Sequence, residues 1–280
     1  MARETVRAYR ALFPGDPVTV VEQGGQRYSL RAQWEWPALR RAHGDATWVW
    51  FHWDVPWWDV PARSVVYVHD LIYFHDANPV KRWVARHWVS HALRSAGRVV
   101  TGSQAMAAQL RRCTAENSAQ SPREAVVIPH GVSGDFAGDW SPRDYVLTVG
   151  EDRPHKNLAL VRRLGVPWQR ADGASDAELA ALYAGARALL VPSLDEGFGL
   201  PVLEAFARGV PVVASDIPVL REVSGGLATL VPVNDVDAWR RAVRQVWDEP
   251  GDADARRRWA AQFTWERSAR MLRDVIAGMA

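Results

Sequence analysis

The sequence predicts an α/β protein built as two Rossmann-like halves, and three observations carry that reading. Short apolar runs rich in Val, Leu and Trp alternate with longer helical stretches over most of the 280 residues, the pattern of strands joined by crossover helices in a parallel sheet. The composition is globular, 48% hydrophobic and 24% charged, enough to bury one large core or two smaller ones. Between two strand-like runs lies His130 to Arg143, dense in Gly, Ser, Asp and Pro, which marks a domain boundary with a hinge near Gly131. The expected domains are 1–142 and 143–262, followed by a terminal helix over 263–280.

The first half opens on a helix from Arg3 to Leu12. Its candidate strands are Pro17 to Val21, Thr47 to Phe51, Val65 to His69, Val99 to Thr101 and Val126 to Pro129, each a short apolar run. Pro79 to Arg94 reads as an amphipathic helix. Its apolar stripe is Val84, Ala85, Trp88, Val89, Ala92 and Leu93, with Arg82, Arg86, His87 and Arg94 outside it. In the second half, strands are expected at Tyr145 to Val149, Arg187 to Pro192, Val210 to Ala214 and Ala228 to Val231, with Val166 to Gln169 a weaker one. Helices fall between them: Asn157 to Leu164, Asp176 to Ala186 opened by a Ser175/Glu178 capping box, and Val236 to Trp247 capped by Asp235.

Composition excludes several functions. No apolar run approaches the ~18 residues of a membrane span, and Met1 is followed by Arg3, Glu4 and Arg7 in place of a signal peptide. The lone Cys113 excludes an internal disulfide framework and suits a reducing compartment, so the cytoplasm is the expected location. A net charge of +2 points to no nucleic acid, and the tryptophans, ten of fifteen before residue 143, lack a basic stripe beside them. Neither a P-loop nor a nucleophile elbow is present. The pairs Asp235/Asp237 and Asp252/Asp254 read as helix caps, and no metal is expected.

The chemistry is concentrated in Leu189 to Val213. An apolar strand ends at Pro192, a loop follows, and a helix starts near Leu200 with Pro201 in its first turn, where a missing N–H does no harm. Gly197 and Gly199 let the backbone approach a ligand, and the first-turn N–H groups carry about half a positive charge. Phosphate suits that helix mouth. Glu196 on the loop and Glu204 one turn inside the helix would repel each other's charge around a phosphate unless each accepts hydroxyl hydrogen bonds. A diphosphate with polyol groups on both sides satisfies that condition.

At these residues the sequence resembles glycosyltransferase family 4 of the GT-B fold, whose donor motif is a glutamate, seven residues and a second glutamate, the spacing of Glu196 and Glu204. The resemblance implies two Rossmann-like domains facing a central cleft. It implies that Glu196 contacts the transferred sugar, that the backbone of Gly197, Phe198, Gly199 and Leu200 holds sugar and phosphate, and that Glu204 binds the ribose. Val149 to Leu158 is similar to the family's loop after a strand, which assigns Gly150, Arg153, Lys156 and Asn157 to the donor and makes Lys156 the cation that neutralises the leaving diphosphate in place of a metal ion. Many members carry arginine just after the glycine; here Glu151 stands there, with Arg153 and His155 beyond it. Val65 to Leu71 resembles the acceptor-domain strand ending in His-Asp, which gives His69 a hydrogen bond near the reacting centre; a buried histidine satisfied by backbone is the competing reading. Val99 to Ser103 and Val127 to Val132 also fit, and Phe263 to Ala269 resembles the final helix that braces the first domain.

Two departures shorten both sheets relative to the family. The chain starts at the Arg3 helix, where members usually have a strand and a Gly-rich loop, and roughly one helix and one strand are missing after Asn157 to Leu164. The resemblance implies a retaining glycosyltransferase moving a hexose or deoxyhexose from a nucleotide diphosphate sugar to a hydroxyl of a glycan or lipid-linked acceptor. The alternative is a catalytically silent nucleotide-sugar-binding or scaffold protein of the same fold; an epimerase of that fold is a third. The 79–94 helix would rest on anionic membrane at its inner face or pack on its own sheet.

Overall fold

The computed structural model describes residues 1–21, 30–75, 78–115 and 124–279. The chain divides into two compact units, residues 1–129 with 266–280, and residues 130–265.

The first unit is built on a parallel sheet with strands in sequential order: β1 (Trp48–Trp50), β2 (Ser64–Tyr67), β3 (Arg98–Thr101) and β4 (Val126–Val127). Every residue of β2 is buried, as in strands covered on both faces. The helices are α1 (Ala2–Leu12), α2 (Leu30–Ala42), α3 (Pro79–Ser95) and α4 (Gln104–Ala115). At the start of α3 the Asn78 side chain accepts from the Val80 and Lys81 N–H groups at 2.9 and 3.3 Å, and Pro79 fills a position where no N–H is needed. Ala85, Trp88, Val89, Ala92 and Leu93 of α3 join Val66, Val68, Val99 and Met106 in the core. Of the two readings open for the apolar stripe, it takes the second and packs on its own sheet, and the exposed side of α3 carries Val80, Trp83, Arg86 and His87.

Pro17 to Val21 forms no strand. Val20 and Val21 are exposed and no described strand pairs with them, so β-branched residues there have no pleated neighbour to pack on. Strand β4 is shorter than expected, although the Ile128 N–H still donates to the Thr101 carbonyl at 2.8 Å. Helix α11 (Trp265–Ala277; the helices between are given below) contributes residues 266–277 to this unit. Its Arg273 guanidinium lies over the Phe13 ring, 4.2 Å from the centroid, and its Nε is 3.1 Å from Asp16.

The second unit holds five parallel strands: β5 (Val146–Val149), β6 (Trp168–Ala171), β7 (Ala188–Val191), β8 (Val212–Ser215) and β9 (Thr229–Val231), in the order β6-β5-β7-β8-β9. The weak strand candidate at Val166 to Gln169 is β6, shifted toward the C-terminus and lying at the sheet edge. Helices α5 (Leu158–Arg162), α6 (Asp176–Gly185), α7 (Leu200–Ala207), α8 (Pro218–Ser224), α9 (Val236–Asp248) and α10 (Ala253–Ala260) connect them. Val146, Leu190, Val213 and Val231 meet Leu160, Trp239 and Val243 in the core. The Ser175/Glu178 capping box is formed. Asp235 and Asp252 accept from the N–H groups of Ala238 and Ala255 at 2.9 and 2.8 Å, which makes both residues helix caps.

The unit boundary falls at 129/130, ahead of the expected 142/143, for a reason that composition hides. Polar backbone in 130–143 is satisfied within the second unit: Ser141 and Arg143 N–H groups donate to Ala184 and Gly185 at 2.9 and 2.8 Å. Trp140 Nε1 donates to Ala186 at 2.8 Å, and the Arg208 guanidinium reaches the Ala137 and Asp139 carbonyls at 3.2 Å. Gly131, the expected hinge, is packed tightly. A Cβ there would lie 2.2 Å from the Trp265 nitrogen and 2.5 Å from the Thr264 carbonyl carbon. The second boundary falls at 265/266, near the expected 262/263; the Val132 N–H donates to the Phe263 carbonyl at 3.0 Å, keeping that residue in the second unit.

Candidate functional site

The strand order of the second unit reverses between β5 and β7. Connections leave these neighbours toward opposite edges of the sheet, so the loops at their carboxyl ends diverge and open a crevice, the usual ligand position in doubly wound sheets. Gly150 to Asn157 follows β5, and Pro192 to Gly199 follows β7.

The two loops bring Lys156 and Glu196 together. Lys156 Nζ is 2.7 Å from Glu196 Oε1, and Ser193 Oγ donates to the same oxygen at 2.7 Å. The two charged side chains are 20% and 10% exposed, enough for a ligand to reach them while water screens them little. Backbone conformation makes the contact. Gly150, at φ +108°, turns the chain out of β5 with Lys156 Cε 3.6 Å from where its Cβ would be. A 3₁₀ turn, Pro154–Lys156, ends on Asn157 at φ 51° and ψ 37°, a left-handed conformation that asparagine tolerates. The Leu194 N–H donates to the His155 carbonyl at 2.7 Å, tying one loop to the other.

On the β7 side, Gly199 at φ +91° opens α7, with Pro201 in the first turn. Phe198 is buried, its ring edge-on to His130 at 4.8 Å; the side chain anchors the loop and leaves recognition to the backbone. Among the described residues, no acceptor takes the N–H groups of Gly197, Phe198 or Gly199. With the first turn at Leu200, they form an anion-seeking mouth.

Glu204 lies in the next turn of α7. Its Oε2 accepts a 2.8 Å hydrogen bond from the Tyr183 hydroxyl of α6. Burial lifts the Glu204 carboxyl above its ordinary pKa, and the Tyr183 bond works against that rise. Tyr183 is itself raised well above the usual phenol range, first by burial and then by the Glu204 charge.

The remaining expected residues are placed differently. Arg153 pairs with Glu151, 2.8 Å from Nε to Oε2, where both side chains are more than half exposed. His69 belongs to the first unit, half-buried, with Nε2 2.7 Å from the Phe51 carbonyl and its ring stacked on Tyr67 at 5.6 Å. Since a carbonyl only accepts, Nε2 carries a proton and is satisfied by backbone. Two residues escaped the sequence reading. Ser193 stood in plain view three positions before Glu196, but Tyr183 lies on another helix and no local spacing pairs it with Glu204. No helix among the described residues is long and apolar enough to cross a membrane.

Comparison with known proteins matches residues 149–263 to a family model described as glycosyl transferases group 1. Over 175 residues the chain is 29% identical to O-antigen chain mannosyltransferase RfbU of Salmonella typhimurium, a match covering 51% of this chain and 50% of that protein. Over 121 residues it is 40% identical to MMP alpha-(1->4)-mannosyltransferase of Mycolicibacterium hassiacum, covering 39% of this chain and 29% of that one. The chain thus spans half or less of the length of these relatives. Sucrose-phosphate synthase from Thermosynechococcus elongatus aligns with a TM-score of 0.78 at 18% identity, over 99% of this chain and 92% of that chain. HepE of Anabaena, in complex with UDP-glucose, aligns with a TM-score of 0.63 at 17% identity, over 77% and 72%. These two likenesses show the fold, and it is the GT-B class expected from sequence.

Proposed function

From the match of residues 149–263 to the family model of glycosyl transferases group 1, we propose that the chain is a retaining, metal-independent glycosyltransferase that moves a hexose or deoxyhexose from a nucleotide diphosphate sugar to a hydroxyl of a glycan or lipid-linked acceptor. The observation that carries the reading is the meeting of Lys156 and Glu196 at 2.7 Å where the strand order reverses. A cation beside an unsatisfied row of amides supplies the charge complement of a diphosphate, and the carboxylate supplies acceptors for sugar hydroxyls.

In this reading the second unit holds the donor. As the bond between the anomeric carbon and the phosphate oxygen breaks, negative charge grows on the diphosphate. Lys156 and the amides of Gly197 to Leu200 are already in place to stabilise it, so little reorganisation is needed at that moment. Glu196 fixes the sugar through its hydroxyls and Glu204 the ribose. The acceptor hydroxyl bonds to the anomeric carbon on the face that the phosphate leaves. Its proton passes to the departing phosphate oxygen, giving a glycoside and a nucleoside diphosphate without a second carboxylate as base. Gly150, Arg153 and Asn157 complete the donor loop. Calorimetry with UDP-, GDP- and dTDP-sugars, followed by nucleoside diphosphate release with and without acceptor, tests the proposal. Binding with acceptor-dependent release is expected; binding without release establishes the silent protein, and no binding overturns both.

A cytoplasmic location at the inner face of an anionic membrane accompanies this reading. Helix α3 bears Lys81, Arg82, Arg86 and Arg94 and no acidic residue. Its exposed side offers Val80 and Trp83, at 67% and 60% exposure, and Trp83 lines an open groove with Phe74, Pro79, Arg82 and Arg86. Cations around an exposed indole suit anionic headgroups. Vesicles containing phosphatidylglycerol are expected to sediment the protein, neutral phosphatidylcholine vesicles to leave it in solution, and the Trp83→Ala/Arg86→Glu double variant to stay in solution with both. Lipid-independent sedimentation would count against the contact.

A further inference from the structure

We infer that Tyr183 is a positioning residue for ribose recognition: its hydroxyl holds one oxygen of Glu204 and leaves the other to the ribose hydroxyls. The inference rests on the reading of Glu204 as the ribose acceptor and adds a residue that no motif assigned.

Tyr183 stands in the last turn of α6 and is completely buried. Its ring is braced edge-on by Phe136, with centroids 5.8 Å apart and planes at 89°. The hydroxyl is 2.8 Å from Glu204 Oε2 and 3.4 Å from the Pro201 carbonyl. One phenolic proton serves one strong bond, and the shorter contact to a charged acceptor takes it. Among the described residues no other group donates to Glu204. A carboxylate has two oxygens and about four lone-pair sites, so Oε1 keeps its capacity for two neighbouring hydroxyls.

The tether has a second effect. Burial favours the protonated form of Glu204, which accepts hydrogen bonds poorly and offers a donor where ribose also donates. The Tyr183 proton stabilises the carboxylate and restricts its rotation. Tyr183→Phe keeps the ring that fills the site and removes this one bond.

The experiment is calorimetry with UDP and GDP and with their 2′-deoxy and 3′-deoxy counterparts, on wild type, Tyr183→Phe and Glu204→Gln, alongside thermal melts. Wild type is expected to prefer the ribonucleotides, and Glu204→Gln to lose that preference. Tyr183→Phe is expected to bind ribonucleotides about tenfold more weakly, the scale of one charge-assisted hydrogen bond, with affinity for the deoxy forms unchanged. In turnover, donor KM rises in that variant and kcat at saturating donor holds. A role limited to packing would weaken both nucleotide classes equally, and that result overturns the inference, as does a ribose preference lost in Glu204→Gln but kept in Tyr183→Phe. Absence of any preference in wild type refutes the role of Glu204 itself, and the inference with it.

Discussion

Replacing Lys156 by alanine is expected to reduce turnover by about three orders of magnitude, the upper range for losing one preorganised charge at a site of developing negative charge. The loss should appear in kcat measured as nucleoside diphosphate release at saturating donor, because the ammonium matters most when the diphosphate carries its full leaving charge. The variant leaves Glu196 with only its Ser193 partner, and an unmatched carboxylate that is 10% exposed destabilises the unit. The double variant Lys156→Gln/Glu196→Gln removes both charges together and is expected to melt near wild type while remaining inactive. A Lys156→Ala protein that turns over normally would remove this lysine from the chemistry.

Gly131→Ala is expected to produce the largest loss of stability. The added methyl would sit 2.2 Å from the Trp265 nitrogen and 2.8 Å from its Cα, and backbone cannot rotate aside as a side chain does. Separating the two segments also endangers the Val132 N–H bond to the Phe263 carbonyl. Overpacking of this severity costs about 3 kcal/mol or more, which lowers the melting temperature of a chain this size by roughly 6–12 °C. A thermal melt of the full chain reads the effect, and a shift under 2 °C would show that the segments part without cost.

Glu196 stands on a loop whose glycines and proline announce a strand, a turn and a helix start, whereas Lys156 was singled out only by the resemblance of Val149 to Leu158 to a family loop, since a lysine after a strand has no chemistry of its own to mark it. The alternation of apolar runs exposed eight of the nine strands among the described residues plainly and the ninth, β6, faintly. What escaped depends on neighbours remote in sequence. Val20 and Val21 have strand chemistry, but no strand among the described residues pairs with them. The stripe on α3 has one periodicity whether it meets lipid or its own sheet, and only packing shows that Trp88 and Val89 are core. The 130–142 segment has linker composition, yet Arg208 and the end of α6 absorb its polar backbone. The tyrosine that grips Glu204 stands on a different helix, so no spacing along α7 could announce it.

The ion pair that Lys156 forms with Glu196 also sets a threshold for occupancy. With its positive charge answered internally, the ammonium offers little net attraction to a small anion such as inorganic phosphate, which would have to displace a carboxylate and leave it stranded. A ligand that brings hydroxyls for the carboxylate together with oxygens for the ammonium replaces both halves of the pair at once.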